Sequence, residues 1–289
     1  MRNSVASSIF ALLAVLALSS AAVAQTQAPP AAAQARPRTK DGFIAEGIPK
    51  MPNPPGPAPK QDMSGAWVGP QDRVMGPFPA FTSEGEAKFK LAEPYLGFGK
   101  VDKLPPSNDP FTVCDPLGFP RNLLAHAISF RGGMLFATAP GRIIINYEQQ
   151  RIWREVWMDG RELPKKVDAR GAPDSRYYGY SVGHWDGDHT LVIDSTGFDE
   201  RPWLDEDGHP RSKSAHIQER YNRVDQYNTQ LTVTVDDPTY YTKPFQFLKA
   251  NLYWMKDQDF EETLCIPSEG IEYRDTLSKP SGINVENPN

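Results

Sequence analysis

The sequence predicts an all-β fold, and three observations carry that prediction. From residue 127 onward, about eight short runs rich in Val, Ile, Thr, Tyr and Trp follow one another, separated by turn signals. No long helical periodicity alternates with them, which argues against a parallel α/β sheet. The third observation is the 28 prolines among 289 residues, about twice the usual share of roughly 5%. An interior proline removes a helical hydrogen bond and clashes with the preceding turn, so a helical bundle is disfavoured. The expected architecture is an antiparallel barrel or sandwich in one domain with a loop-rich N-terminal extension.

Taken in order, residues 1–24 read as a secretory signal. Arg2 is followed by a short apolar run at 9–18 and the small-residue site Ala22-Val23-Ala24. That run falls short of the roughly 18 residues that suggest a membrane span. Residues 25–62 are rich in Pro, Ala and Gln, and are expected to form a flexible or polyproline leader that cannot bury enough apolar surface to fold. The single domain then spans 63–289 and opens with Ser64-Gly65-Ala66-Trp67. A helix is expected over 82–91, capped by Thr82 or Ser83, with Glu84 and Glu86 in its first turn. A loop-rich stretch follows over 94–120. Strands are expected over 133–138, 142–148, 152–158, 177–185, 190–195, 215–224, 230–235 and 245–255. Asp159-Gly160 is a strong hairpin dipeptide, and Asp186-Gly187-Asp188 separates another strand pair.

Side chains alternate across a strand, so residues two apart share a face. Leu231, Val233 and Val235 alternate with Thr232, Thr234 and Asp236 as a plain half-buried strand. Three other strands have no cleanly apolar face. Trp153, Glu155, Trp157 and Asp159 oppose Ile152, Arg154, Val156 and Met158. Tyr178, Tyr180, Val182 and His184 oppose Tyr177, Gly179, Ser181, Gly183 and Trp185. His216, Gln218 and Arg220 oppose Ile217, Glu219 and Tyr221. Mixed polar and aromatic faces of this kind hint at a lined pocket, which a closed barrel of this size can hold.

A net charge of −5 disfavours nucleic acid as a partner, because duplex binding rests on neutralising phosphates. Two cysteines, Cys114 and Cys265, are too few for a four-thiolate zinc site. In an exported chain they are expected to pair as a disulfide. The competing reading is a nucleophilic Cys114 served by His126 or His216.

Four clusters could carry chemistry. His216 could move a proton near neutral pH, with Arg220 on the same face; the bland alternative is a surface strand with cross-strand charge pairs. Asp159 and Arg161, beside Trp157, could polarise a ligand at a barrel mouth, or Asp159-Gly160 is simply a turn. Tyr178 and Tyr180, with His184 further along, offer a stacking surface and hydroxyls for an aromatic ligand, or they are barrel packing. Arg121, on a proline-stiffened loop, suits a carboxylate or phenolate, or the loop is only pinned by Cys114. No zincin, nucleophile-elbow, phosphate-loop or dinucleotide motif is present. His184 and His189 flank a turn where a metal is conceivable, and Asp205-Glu206-Asp207-Gly208 reads as an acidic turn, because it lacks full calcium-ligand spacing. No metal or cofactor is expected.

Gly65-Ala66-Trp67, the strand-rich tail and its mixed faces resemble the lipocalin-like (calycin) barrels. More telling are Cys-x-Pro-x-Gly-x-Pro-Arg at 114–121, Asp-Gly-Arg at 159–161, Gly-His-Trp-Asp-Gly-Asp with Leu-Val-Ile-Asp over 183–194, and Glu-Arg-Tyr at 219–221. These are similar to a broad family of exported bacterial proteins, most without assigned function, over roughly residues 60–260. A more distant analogy is the phenolic acid decarboxylases, cofactor-free lyases of similar barrel form that use Tyr, Arg and Glu. The resemblance implies a lipocalin-like barrel and, by analogy alone, a lyase.

The expected function is a cofactor-independent carbon–carbon lyase for phenolic, lignin-derived compounds, located in the periplasm or secreted. In it His216, Arg220, Tyr178 and Asp159 would act on the reacting atoms, while Arg121, Arg161, Tyr180, Trp157 and His184 would bind substrate. The alternative is a non-catalytic carrier of an apolar or aromatic molecule, which becomes the better reading if His216 and Arg220 face solvent. A third reading is an envelope or scaffolding protein with a filled barrel. The partner is expected to be a small aromatic molecule, with no nucleic acid and no membrane span.

Overall fold

Alternating buried and exposed side chains run through most of the strands, and the sheet they form closes on itself. The computed structural model describes residues 54–69, 74–94, 107–124, 133–148, 150–255, 260 and 264–268. The expected signal segment, most of the expected leader and His126 lie outside the described residues. The strands are β1 (Gly65–Val68), β2 (Val74–Met75), β3 (Gly133–Ala139), β4 (Arg142–Tyr147), β5 (Trp153–Trp157), β6 (Tyr180–Asp186), β7 (Thr190–Thr196), β8 (His216–Arg223), β9 (Asn228–Asp236) and β10 (Phe245–Trp254). Among the described residues they are accompanied by the α-helix α1 (Ser83–Phe89) and a 3-10 turn at Pro110–Val113. Thr82 caps α1, accepting from the Gly85 backbone N–H at 3.0 Å.

The order is β1-β3-β4-β5-β6-β7-β8-β9-β10, and β10 returns to pair with β1. Nine strands therefore form a closed barrel, and β2 adds to β10 from outside. Closure removes the unpaired sheet edges that would otherwise invite aggregation. The sequence predicts an antiparallel barrel of about eight strands; the structure instead closes nine, and one pair, β5 with β6, runs parallel. Asp159-Gly160 makes a turn but no hairpin. Asp159 caps the Arg161 N–H, and the chain then crosses over through residues 158–179 before β6 begins. Pro164 and Pro173 lie in that crossover, and proline removes a ladder donor from a returning strand.

Burial assigns the faces. Trp67, Met134, Phe136, Ile143, Ile145, Tyr147, Val156, Leu191, Ile193, Ile217, Tyr221, Leu231, Val233 and Val235 are all buried. Phe119, Leu123 and, ahead of β1, Met63 join them in one apolar core. At about 25 cal/mol per Å² of apolar area removed from water, such a core dominates the stability of the fold. Residues 54–62 are held by bonds to the barrel: Gln61 N–H donates to Asp188 O at 2.6 Å, and Gln226 N–H to Gly56 O at 2.9 Å. Cys114 and Cys265 are joined as a disulfide, 151 residues apart in sequence, a bond that persists in oxidising compartments. No helix among the described residues is long and apolar enough to cross a membrane.

Candidate functional site

The parallel seam is the weak point of the wall. Only Val156↔Ser181 and Trp157↔Val182 pair across it. Ahead of those pairs no ladder joins residues 152–155 to residues 177–180, and a cleft of about 310 Å³ opens there. Its lining includes Trp153, Trp157, Tyr177, Tyr178 and Tyr180, with Arg154 and Arg176 among them. Trp153 is 61% exposed at the rim, whereas Tyr178 is buried and stacks near Tyr147 with ring centroids 6.1 Å apart. Gly179 shapes this edge. Its φ of +65° suits glycine, and an added Cβ would lie 2.6 Å from Phe198 Cε1.

Beneath the cleft an ion pair crosses the barrel. Arg154 of β5 and Glu219 of β8 point inward from strands that are not neighbours, and Arg154 Nη2 donates to Glu219 Oε2. Their side chains are 2% and 0% exposed. The Tyr221 hydroxyl donates to Glu219 Oε1 at 2.6 Å, and the guanidinium lies over the Phe119 ring at 4.2 Å. Nε and Nη1 of Arg154 are buried with no hydrogen-bond partner among the described residues. Burial pushes the Glu219 carboxyl up, and Arg154 and Tyr221 oppose that shift. Burial also pushes the Tyr147 and Tyr178 hydroxyls up.

The structure disperses the residues singled out from sequence. His216 and Arg220 are on the outer surface of β8. His216 Nε2 meets Asp194 Oδ1 at 2.9 Å, and Arg220 Nη2 donates to Asp186 Oδ2 at 2.5 Å. The Asp194 hydrogen bond holds the His216 imidazole above its ordinary pKa, against partial burial. His184 is also exposed, on the outer face of β6. Asp159 and Arg161 close on each other, with Arg161 Nη2 donating to Asp159 Oδ2 at 2.6 Å. Arg161 and Arg142 both stack on Trp157, at 3.3 and 4.0 Å, which fixes that wall of the cleft. Arg121 is buried in a two-pronged pair with Asp109, at 2.8 and 2.6 Å, so its donors are committed inside the fold. Tyr178, Tyr180 and Trp157 do converge at the cleft. The Tyr180 hydroxyl donates to Asp174 O at 2.8 Å.

Sequence reasoning passed over Arg154 and Glu219 as site residues, although a signal was present. Each is a lone charge between apolar neighbours on its face, Arg154 between Ile152 and Val156, Glu219 between Ile217 and Tyr221. Two such charges of opposite sign are cheaper to bury as a pair than singly.

Other polar features are structural. The Asp205 carboxylate accepts from the backbone of Asp207 and His209 and from His209 Nδ1, as an acidic turn does. His189 Nδ1 bonds to Pro59 O at 3.1 Å. A second groove, of about 400 Å³, is lined by Trp203, Arg201, Lys213 and Lys88; Arg201 is tied to Asp199 and Lys213 to Asp168.

No protein-family model, curated protein or solved structure matches the chain.

Proposed function

We propose that this protein binds a small aromatic molecule in the cleft between β5 and β6. The observation that carries the reading is the convergence of five aromatic side chains on one opening in the barrel wall. Aromatic pairs stack with offset or edge-on geometry and add about 0.5–1.5 kcal/mol beyond the area they bury. A planar ligand gains most from such walls. The outward position of His216 and Arg220 favours a carrier over the expected lyase, because neither can reach a molecule in this cleft. With the Cys114–Cys265 bridge and the signal-like N-terminus, we place the carrier in the periplasm or outside the cell.

One observation favours a second reading, the cofactor-independent lyase. The Glu219 carboxyl beneath the cleft is held above its ordinary pKa by burial, a shift toward neutral pH of the kind general acid–base work uses. In a para-hydroxycinnamate-type ligand, the Glu219 carboxyl would protonate the side-chain alkene as the phenolic proton passes to solvent, giving a quinone methide. Loss of carbon dioxide would return the electrons of the cleaved carbon–carbon bond to the ring, and the phenolate and Glu219 would recover their protons from solvent.

Trp153 and Trp157 provide the test, since a ligand between them alters their fluorescence. Titration with phenolic acids and lignin-type dimers should give saturable quenching that weakens in Tyr178→Ala. Mass spectrometry of the same mixtures separates the readings. Loss of a one-carbon fragment establishes the lyase, and unchanged ligand establishes the carrier. Absence of saturable binding across the panel overturns both.

A further inference from the structure

The aromatic walls do not account for the charges at this site. Arg154 is buried, yet only Nη2 is engaged; Nε and Nη1 have no partner among the described residues. Leaving buried donors of a charged group unmade is costly, so a built feature of this kind calls for an acceptor. Arg176 at the rim stacks on Tyr180 at 4.2 Å and forms no ion pair among the described residues. Arg176 and Arg154 both line the cleft, Arg154 with its unengaged donors shut beneath it, so an aromatic anion that penetrates past Arg176 approaches a second cation.

Resting on the proposed aromatic-binding role, we infer that the cleft takes an aromatic carboxylate, and that Glu219 accepts one proton as the ligand's carboxylate binds Arg154. The reason is charge balance. One buried guanidinium already offsets one buried carboxylate, and a second carboxylate beside it would be an uncompensated buried anion. Two carboxylates sharing one site cannot both remain ionised, so one takes a proton. Glu219 is the group placed to do so: it touches Arg154 directly and is 0% exposed. Its surroundings on every side support this. Arg154 faces it from β5 and Tyr221 from its own strand. Tyr147, from β4, and Tyr178, ahead of β6, act on Arg154 and on each other. From β7, Asp194 adds negative charge. On β9 its cross-strand partner Val233 is apolar. None of these groups except Arg154 can offset another negative charge.

The experiment is calorimetric titration of the full mature chain with 4-hydroxybenzoate and, separately, with its neutral counterpart 4-hydroxybenzamide. Each is run at neutral pH in phosphate and in Tris, whose ionisation heats differ. The expected result is uptake of about one proton per 4-hydroxybenzoate, with affinity falling about tenfold per pH unit above neutrality, as a one-proton linkage requires. The amide should bind more weakly and without proton exchange. Glu219→Gln keeps one oxygen to accept from Arg154 and can donate its amide N–H to the Tyr221 hydroxyl oxygen, and should bind 4-hydroxybenzoate with no proton uptake and a flat pH profile. The wild-type buffer comparison stands by itself if that variant does not fold. Binding of 4-hydroxybenzoate without proton uptake, or equal affinity for acid and amide, overturns the inference and leaves the aromatic-binding role intact. Failure of both probes, together with failure of the fluorescence panel, overturns that role as well.

Discussion

The Arg154–Glu219 pair spans the barrel with neither charge in water, and such a pair is held by mutual compensation. Removing one partner leaves the other buried and unpaired, which typically costs about 3–5 kcal/mol. Glu219→Ala should therefore lower stability by about that much in denaturant melts. The double variant Arg154→Met/Glu219→Leu should recover most of the loss, because no buried charge remains. Recovery will be partial, since the Tyr221 hydroxyl loses the acceptor it now has at 2.6 Å. A double variant as unstable as the single one would show that the pair itself, rather than its compensation, holds the barrel together. The exposed pair on the outer face behaves differently. The Asp194 hydrogen bond raises His216, and His216 in turn lowers Asp194. A raised histidine contributes fully below its unfolded pKa, near 6.5, and its contribution fades as pH rises through the folded value. A lowered aspartate contributes above about pH 4 and loses its effect in acid. The pair is thus complete between roughly pH 4 and 6.5. The His216 side chain is 46% exposed, so solvent screening keeps the pair to about 0.2–1 kcal/mol. NMR titration should place the His216 midpoint above the free-histidine value, and His216→Ala should leave ligand binding unchanged. The contrast separates the outer face of β8, which carries His216 and Arg220, from its inner face, which carries Glu219. Histidine and arginine attract attention as functional types, whereas Glu219, flanked by Ile217 and Tyr221, is a charge that the barrel buries.

At the scale of elements, much of the barrel was legible because its strands alternate. β9 reads from Leu231, Val233 and Val235, and Asp186-Gly187-Asp188 marks the β6–β7 turn, where antiparallel register follows directly. The helix was legible as well, with Thr82 as its cap. The barrel was expected, but the parallel seam was not, because it depends on which distant strands meet. Asp159-Gly160 has the local chemistry of a hairpin, yet the residues that follow supply no partner strand. The cleft is a product of that seam and so was invisible in any single strand. Its edge can be tested at Gly179. An alanine there must hold φ near +65° with its Cβ 2.6 Å from Phe198 Cε1 and 2.7 Å from Thr196 O. Left-handed strain and a backbone clash together should cost about 1–3 kcal/mol. Because Tyr178 and Tyr180 flank it, Gly179→Ala should also weaken ligand quenching of the cleft tryptophans. Thermal melts read the first effect and titration the second. A variant with normal stability and normal binding would show that the turn relaxes freely and does not set the cleft.

On the scale of the whole molecule, the disulfide joins the loop after the 3-10 turn to the C-terminal segment at 264–268, and β3 to β10 all lie between the two cysteines. A link of 151 residues restricts the unfolded chain far more than the folded one. Chain-entropy arguments put the gain for so long a loop near its upper range, whereas native bridges in practice contribute about 2–5 kcal/mol. The barrel does not need the bridge for its topology, because nine strands close through main-chain pairing. Nor does the loop beside the cleft hang from Cys114 alone. Asp109 grips Arg121, and Arg211 donates to the carbonyls of Phe119 and Asp199. Cys114→Ser/Cys265→Ser should therefore fold, lose about 2–5 kcal/mol in denaturant melts, and keep its aromatic ligand affinity within a few-fold. Thiol reductant should move the wild-type melt toward the variant and leave the variant's own melt unchanged. If affinity collapsed while the strands stayed formed, the bridge would be holding the cleft itself, and Asp109, Arg121 and Arg211 would be too weak an anchor for the loop that carries Phe119 beneath Arg154.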